Sequence, residues 1–178
     1  MKVFPSLVGI GCALSFSLAF GKVYLTLEQV TEKTHPGAER KARTLYLSEE
    51  QLQQVEEIAG TKISGRVIHT QQLLSGDKVL GTLYLDRHRV RTLPETLGIL
   101  ISPEGKVLSV DVLTFSEPEL YKARENWLAQ FTNTHTESFP RYKHNIDGIS
   151  GATLTGRAVT DAVRRALALH QVTTKSSQ

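Results

Sequence analysis

The order of patterns along the chain predicts an α+β fold, a small antiparallel sheet with helices packed on it. Three observations carry this. Short β-like runs follow one another from residue 65, helical patterns lie before and after them, and strand and helix patterns never alternate as βαβ units would require.

The elements can be justified in order. In "VYLTLEQVTEKT", Thr26 is placed to cap a helix with Gln29 three residues on, and His35-Pro36-Gly37 ends it. Ser48 and Gln51 frame a second capping box, after which Leu52, Val55 and Ile58 recur at helical spacing until Gly60. Both helices are expected on one side of the sheet, making 22–64 a helical segment. Strands are predicted at 65–74, 78–85, 96–102 and 106–114, with turns at Ser75-Gly76-Asp77 and Pro103-Glu104-Gly105. Leu108, Val110 and Val112 alternate with Ser109 and Asp111, which predicts one covered face and one more polar face. Ser116 and Glu119 then suit a capping box for one helix over "SEPELYKARENWLAQF", with Leu120, Trp127, Leu128 and Phe131 on its stripe. From 155 to 170, Ala158, Val159, Ala162, Val163, Ala166 and Leu167 make an apolar face opposite Arg157, Arg164 and Arg165. The tail, 173–178, is polar and expected to fray.

With 178 residues, 40% hydrophobic and 22% charged, the chain suffices for one globular domain, placed at 65–172, plus short extras. Residues 1–21 differ in character. Lys2 precedes an uncharged apolar stretch from Val3 to Phe20, and Ala19-Phe20-Gly21 offers small residues where a signal peptidase reads. A secretory signal peptide is the first reading and an uncleaved N-terminal anchor the second. Either puts the folded part outside the cytoplasm, in the periplasm or an equivalent space, and the second ties it to the membrane. The lone cysteine, Cys12, lies in this segment, so the remainder can form no disulfide, thiolate nucleophile, iron–sulfur cluster or c-type haem site. A net charge of +3, with acidic residues interspersed, argues against a nucleic-acid partner. The one dense basic patch, "DRHRVR" at 86–91, reads as a solvated strand end. The six histidines show no ligand spacing on a helix, so no metal site is expected, and no catalytic motif is present.

What remains is "DGISGATLTG". Gly148 and Gly151 permit sharp turns and close approach, and Ala152 leaves Thr153 accessible. The helix that follows offers free N–H groups and the positive end of its dipole, a seat for a phosphate. Two readings stand side by side. Thr155 is a helix cap and Thr153 a strand-end residue, or the threonine hydroxyl is the attachment point of a phosphate-bearing cofactor.

"DGISGATLT" resembles the flavinylation motif of the FMN-binding domain family, whose best-known members are the Rnf G and Nqr C subunits of bacterial redox pumps. The similarity extends upstream through "GILISPEGKVLSVDVLTFSEPELY", where Ser116-Glu117-Pro118-Glu119 stands in place of the family's E-T-P-G turn. The resemblance implies FMN joined by a phosphoester to Thr153, installed by a flavin transferase that uses FAD and magnesium. Asp147, Ser150, Gly151 and Ala152 match the recognition sequence; Leu154 and Thr155 complete the cofactor-binding stretch, with Glu117 as a neighbour of the flavin. Tyr121, Trp127 and Tyr142 are candidates to line the ring or to serve as core aromatics. The function implied is electron transfer with a membrane reductase or cytochrome, without a substrate-converting active site or catalytic residues. The alternatives are an accessory module of the same fold lacking flavin, and a flavin-dependent reductase of a small acceptor.

Overall fold

The computed structural model describes residues 21–175. The signal-segment expectation therefore falls on residues outside the described part, as do the last three of the polar tail. Among the described residues, no helix is long and apolar enough to cross a membrane.

The predicted α+β fold is observed. One antiparallel sheet holds β1 (Lys22–Val23), β2 (Glu39–Tyr46), β3 (Val67–Ser75), β4 (Lys78–Arg89), β5 (Pro94–Ile101) and β6 (Val107–Phe115), in the spatial order β1-β6-β5-β4-β3-β2. The helices are α1 (Leu27–Thr34), α2 (Glu49–Ala59), the single turn α3 (Glu125–Leu128) and the long α4 (Thr153–Lys175). Both capping boxes form as the sequence dictates, Thr26 with Gln29 and Ser48 with Gln51, and Gly60 closes α2 in the left-handed conformation.

The sheet is covered on both faces. Leu97, Ile99, Ile101, Val110 and Val112 meet Val159, Ala162, Val163 and Ala166 of α4 and Val55 and Ala59 of α2. On the reverse, Leu73, Leu83, Leu100 and Leu113 close around Val30 of α1. This corrects two expectations: α1 and α2 lie on opposite faces, and the second face is not simply polar. A register shift opposite Leu100/Ile101 moves Leu108 to the α1 side while Val110 and Val112 stay under α4, so strict alternation along β6 fails. Asp111, expected on the polar face, is buried there and bonded by Lys33 of α1 at 3.0 Å.

Strand β2 was expected to be part of a helical segment. It pairs with β3 from Glu39↔Leu74 to Tyr46↔Val67, yet its side chains are exposed almost throughout. A strand held mainly by backbone bonds, with Leu45 as its one side chain packed on the core, leaves no apolar alternation to read. The single helix expected over 116–131 is broken into a 3-10 turn (Glu119–Tyr121), α3, and a second 3-10 turn (Ala129–Phe131). Ser116 caps nothing; Pro118 precedes the first turn, and Lys122 and Arg124 are extended. The backbone is drawn away from helix because the buried Ala123 and Phe131 must reach the core and the Tyr121 carbonyl is claimed by Thr155. Helix α4 starts two residues before the predicted 155 and continues through Thr173 and Thr174, whose hydroxyls donate to the carbonyls of Leu169 and His170.

Candidate functional site

The loop entering α4 is fixed by main-chain bonds that leave its side chains open. Ile146 is buried and acts as its anchor. The Asp147 amide donates to Gln130 Oε1 at 2.9 Å, and Trp127 Nε1 donates to the Asp147 carbonyl at 2.9 Å, so this residue's backbone is held while its side chain is exposed. The Ile149 amide donates to the Tyr142 hydroxyl at 3.1 Å. Tyr142 also lies against Gly156 so closely that a methyl group there would collide with the ring. Gly151 takes φ +76°, the conformation glycine was expected to supply, whereas Gly148 does not adopt positive φ. The nearest group to Gly148 is the Lys143 side chain, 3.3 Å from where a Cβ would stand.

The start of α4 is unusual in what it lacks. Ala152 occupies the cap position and is buried, so no side chain closes the helix. The first intrahelical bond runs from the Gly156 amide to the Ala152 carbonyl at 3.0 Å, and the amides of Thr153, Leu154 and Thr155 precede the ladder. No acidic residue occupies the first turn. Thr153 is exposed, as are Ser150, Gly151 and Leu154. Thr155, one candidate for the cap, is instead buried, and its hydroxyl donates to the Tyr121 carbonyl at 2.7 Å. The two threonines are thus separated in role: Thr155 fastens the helix to the preceding segment, and Thr153 faces solvent where the helix dipole favours an anion.

The three aromatic candidates gather around this end. Tyr121 is linked to Thr155 and lies under the Arg91 guanidinium at 5.0 Å, Trp127 holds Asp147 and packs edge-on to Phe131, and Tyr142 supports Ile149. Glu117 has a different task. Its Oε1 accepts from the amides of Thr92 and Leu93 at 2.7 and 2.8 Å, and these backbone bonds hold its carboxyl below the usual range. It secures the β4–β5 turn, and no described contact links it to the Thr153 loop.

A second group of polar side chains, an ion cluster, escaped the sequence reading. Within "DRHRVR", read as a solvated face, Asp86 and His88 turn inward. His88 bridges Asp86 Oδ1 at 2.9 Å and Glu95 Oε2 at 3.0 Å, and Arg165 of α4 grips Asp86 through two bonds of 2.8 and 2.7 Å. Glu95 is 0% exposed. Burial works against charge on His88, yet its bonds to Asp86 and Glu95 outweigh this and raise its pKa to about 9. Burial also opposes ionisation of Asp86, but His88 and Arg165 bring it down to about 2. The available signal was the i, i+2 spacing of Asp86 and His88, which puts both on the face that carries Tyr84.

Residues 94–168 match the family model described as the FMN-binding domain. No curated protein matches the chain. The matched segment opens at the first residue of β5 and ends within α4, so it contains the hairpin, the broken helical segment and the complete Thr153 loop. An exposed hydroxyl at an uncapped helix start lies within that segment, and over residues 94–168 the chain is similar to the FMN-binding domain family.

Proposed function

We propose that the chain is an exported electron-transfer flavoprotein whose FMN is esterified through its phosphate to Thr153. The observation that carries this reading is the pairing of an exposed Thr153 hydroxyl with three amides ahead of the α4 ladder and an alanine at the cap. A phosphodiester at Thr153 gains hydrogen-bond donors and a favourable dipole without displacing any side chain. Lys143 beside Gly148 and Arg157 at the start of the second turn add positive charge near the same end. The FMN phosphate thus has a fitting seat, held by Thr153, Leu154 and Thr155, with Ser150 and Gly151 in the entering turn.

Attachment by a transferase using FAD and magnesium balances simply. Thr153 would supply the oxygen that forms the phosphoester to FMN, AMP would leave as the phosphoanhydride bond of FAD breaks, and the hydroxyl proton would pass to solvent or a base on the transferase. Bound there, the flavin would supply reversible electron acceptance. The chain's own residues bind and orient: Trp127 and Gln130 fix Asp147, Tyr142 fixes Ile149, and Tyr121 holds the helix start through Thr155. The partners that suit such a carrier are a membrane reductase or a cytochrome outside the cytoplasm.

Co-expression with the transferase, followed by denaturing electrophoresis and in-gel fluorescence, tests the attachment. A fluorescent band is expected for the natural chain and none for Thr153→Ala. A dark natural chain would favour the accessory-module reading, and rapid multiple turnovers of the reduced protein with one small acceptor would favour a reductase.

A further inference from the structure

The pairing of β3 with β4 stops short of the ends of both strands. It runs as far as Thr70↔Tyr84, yet β3 begins at Val67 and β4 continues to Arg89. Both stay extended because their other sides remain paired, β3 with β2 from Tyr46↔Val67 and β4 with β5 as far as Arg89↔Pro94. The edges that face each other here are open. Two cavities of about 490 Å³ each lie along the gap, share Ser64, Arg87 and His88, and together follow β4 from Tyr84 to Arg89.

The register fixes which main-chain groups line this edge. The Val90 amide donates to the Leu93 carbonyl at 3.2 Å, two residues beyond His88↔Glu95, so the even-numbered residues of β4 bond to β5. Arg87 and Arg89 therefore turn their N–H and C=O groups to the open side, where no described main-chain bond occupies them. Pro94, opposite Arg89, has no N–H to offer in any case. An edge of this kind is a template for an added strand.

The side chains decide what that strand carries. Asp86 and His88 point toward α4, where Arg165 and Glu95 satisfy them, so Arg87 and Arg89 alternate to the opposite face of the sheet. There both are exposed, and neither has an ion-pair partner among the described residues; Arg89 donates to the Thr92 carbonyl. On the α4 side, Ile63, Ile68 and Leu169 supply apolar walls. Residues directly opposite each other on paired strands share a face, so the positions facing Arg87 and Arg89 suit acidic side chains and the one between them an apolar side chain.

We infer that the free edge of β4 docks an extended segment of a partner protein, by antiparallel strand addition, in which acidic and apolar residues alternate. The acidic residues pair with Arg87 and Arg89 on one face, and the apolar ones enter the cavity on the α4 side. The docking edge uses no residue of the Thr153 loop.

Calorimetric titration of the full chain with a capped heptapeptide alternating glutamate and valine, and with one alternating lysine and valine, tests this. Saturable binding of the glutamate peptide is expected, roughly tenfold or more tighter than that of the lysine peptide. N-methylation of the glutamate amides keeps the side chains but removes the donors that face β4, and should weaken binding by about tenfold or more. Arg87→Glu should weaken the glutamate peptide about tenfold and strengthen the lysine peptide. Because Arg87 is exposed, this variant should fold. Thr153→Ala should bind the glutamate peptide normally, so failure of the flavin reading leaves this result standing. Absence of saturable binding, equal affinity for the two peptides, or undiminished binding after N-methylation would overturn the proposal. A chain that sediments as a dimer and does not bind the glutamate peptide would assign the edge to a second copy and overturn it as well.

Discussion

The two ends of α4 treat polar groups in opposite ways. At its start, three amides precede the hydrogen-bond ladder, the cap residue is Ala152, and Thr153 faces solvent. A little over three turns on, Arg165 is locked by two bonds to Asp86, and still later His170 is buried against the Tyr84 hydroxyl at 3.2 Å. The later part is closed by partners from the sheet, so a change there is felt as stability. The start is left open, so on the proposed function a change there is felt as loss of flavin attachment rather than of stability.

Substitutions along this helix should separate the two behaviours. The largest stability loss is expected from Arg165→Met, which takes both guanidinium bonds from the largely buried Asp86 carboxylate and leaves His88 as its one described cationic partner. About 3–5 kcal/mol should be lost, read as a lower urea midpoint with an unchanged slope. A stability loss under about 1 kcal/mol would mean that water reaches the cluster and that the contrast between the two ends is weaker than described.

The same cluster should make stability depend on pH. His88 has its folded pKa raised from 6.5 to about 9, so its contribution is complete below about 6.5 and is lost as pH rises through 9. The loss is at most about 3 kcal/mol, and His88→Gln should flatten it. Asp86 is depressed from 3.8 to about 2, so its contribution is present above 3.8 and falls away as pH drops through 2. Urea midpoints measured from pH 2 to pH 10 would locate both flanks.

Smaller effects are expected toward the start of the helix. Gly156→Ala should destabilise by about 1–3 kcal/mol, because the added methyl group meets the Tyr142 ring, and the displaced tyrosine should release Ile149 and reduce flavin attachment as well. Thr153→Ala, by contrast, should shift thermal stability of the flavin-free protein by no more than about 0.5 kcal/mol while abolishing attachment. Smallest of all is Glu117→Gln, where faster amide exchange confined to Thr92 and Leu93 would mark the loss of two charge-assisted bonds.

Much of the fold could be read in advance because its signals are local. The capping boxes at Thr26 and Ser48, the hairpin turns and the apolar stripe of α4 depend on neighbours within a few residues. The broken segment after Pro118 could not be read, since its capping pattern and stripe are those of a helix and what interrupts them comes from Thr155, far away in sequence. The site divided in the same manner. The motif gave Thr153 and its neighbours, whereas the Asp86–His88–Glu95–Arg165 cluster joins residues from β4, β5 and α4.

By itself the sequence determined which residues turn, cap and alternate, and it marked Thr153 through a contiguous run of small residues. Only the tertiary structure decided that Thr155 turns inward while Thr153 stays out, that a basic-looking strand end hides a buried ion network, and that both faces of the sheet are covered. The physical reason is that conformational preference is set by adjacent atoms, whereas burial and charge pairing are settled by whatever distant segment arrives to share the same space.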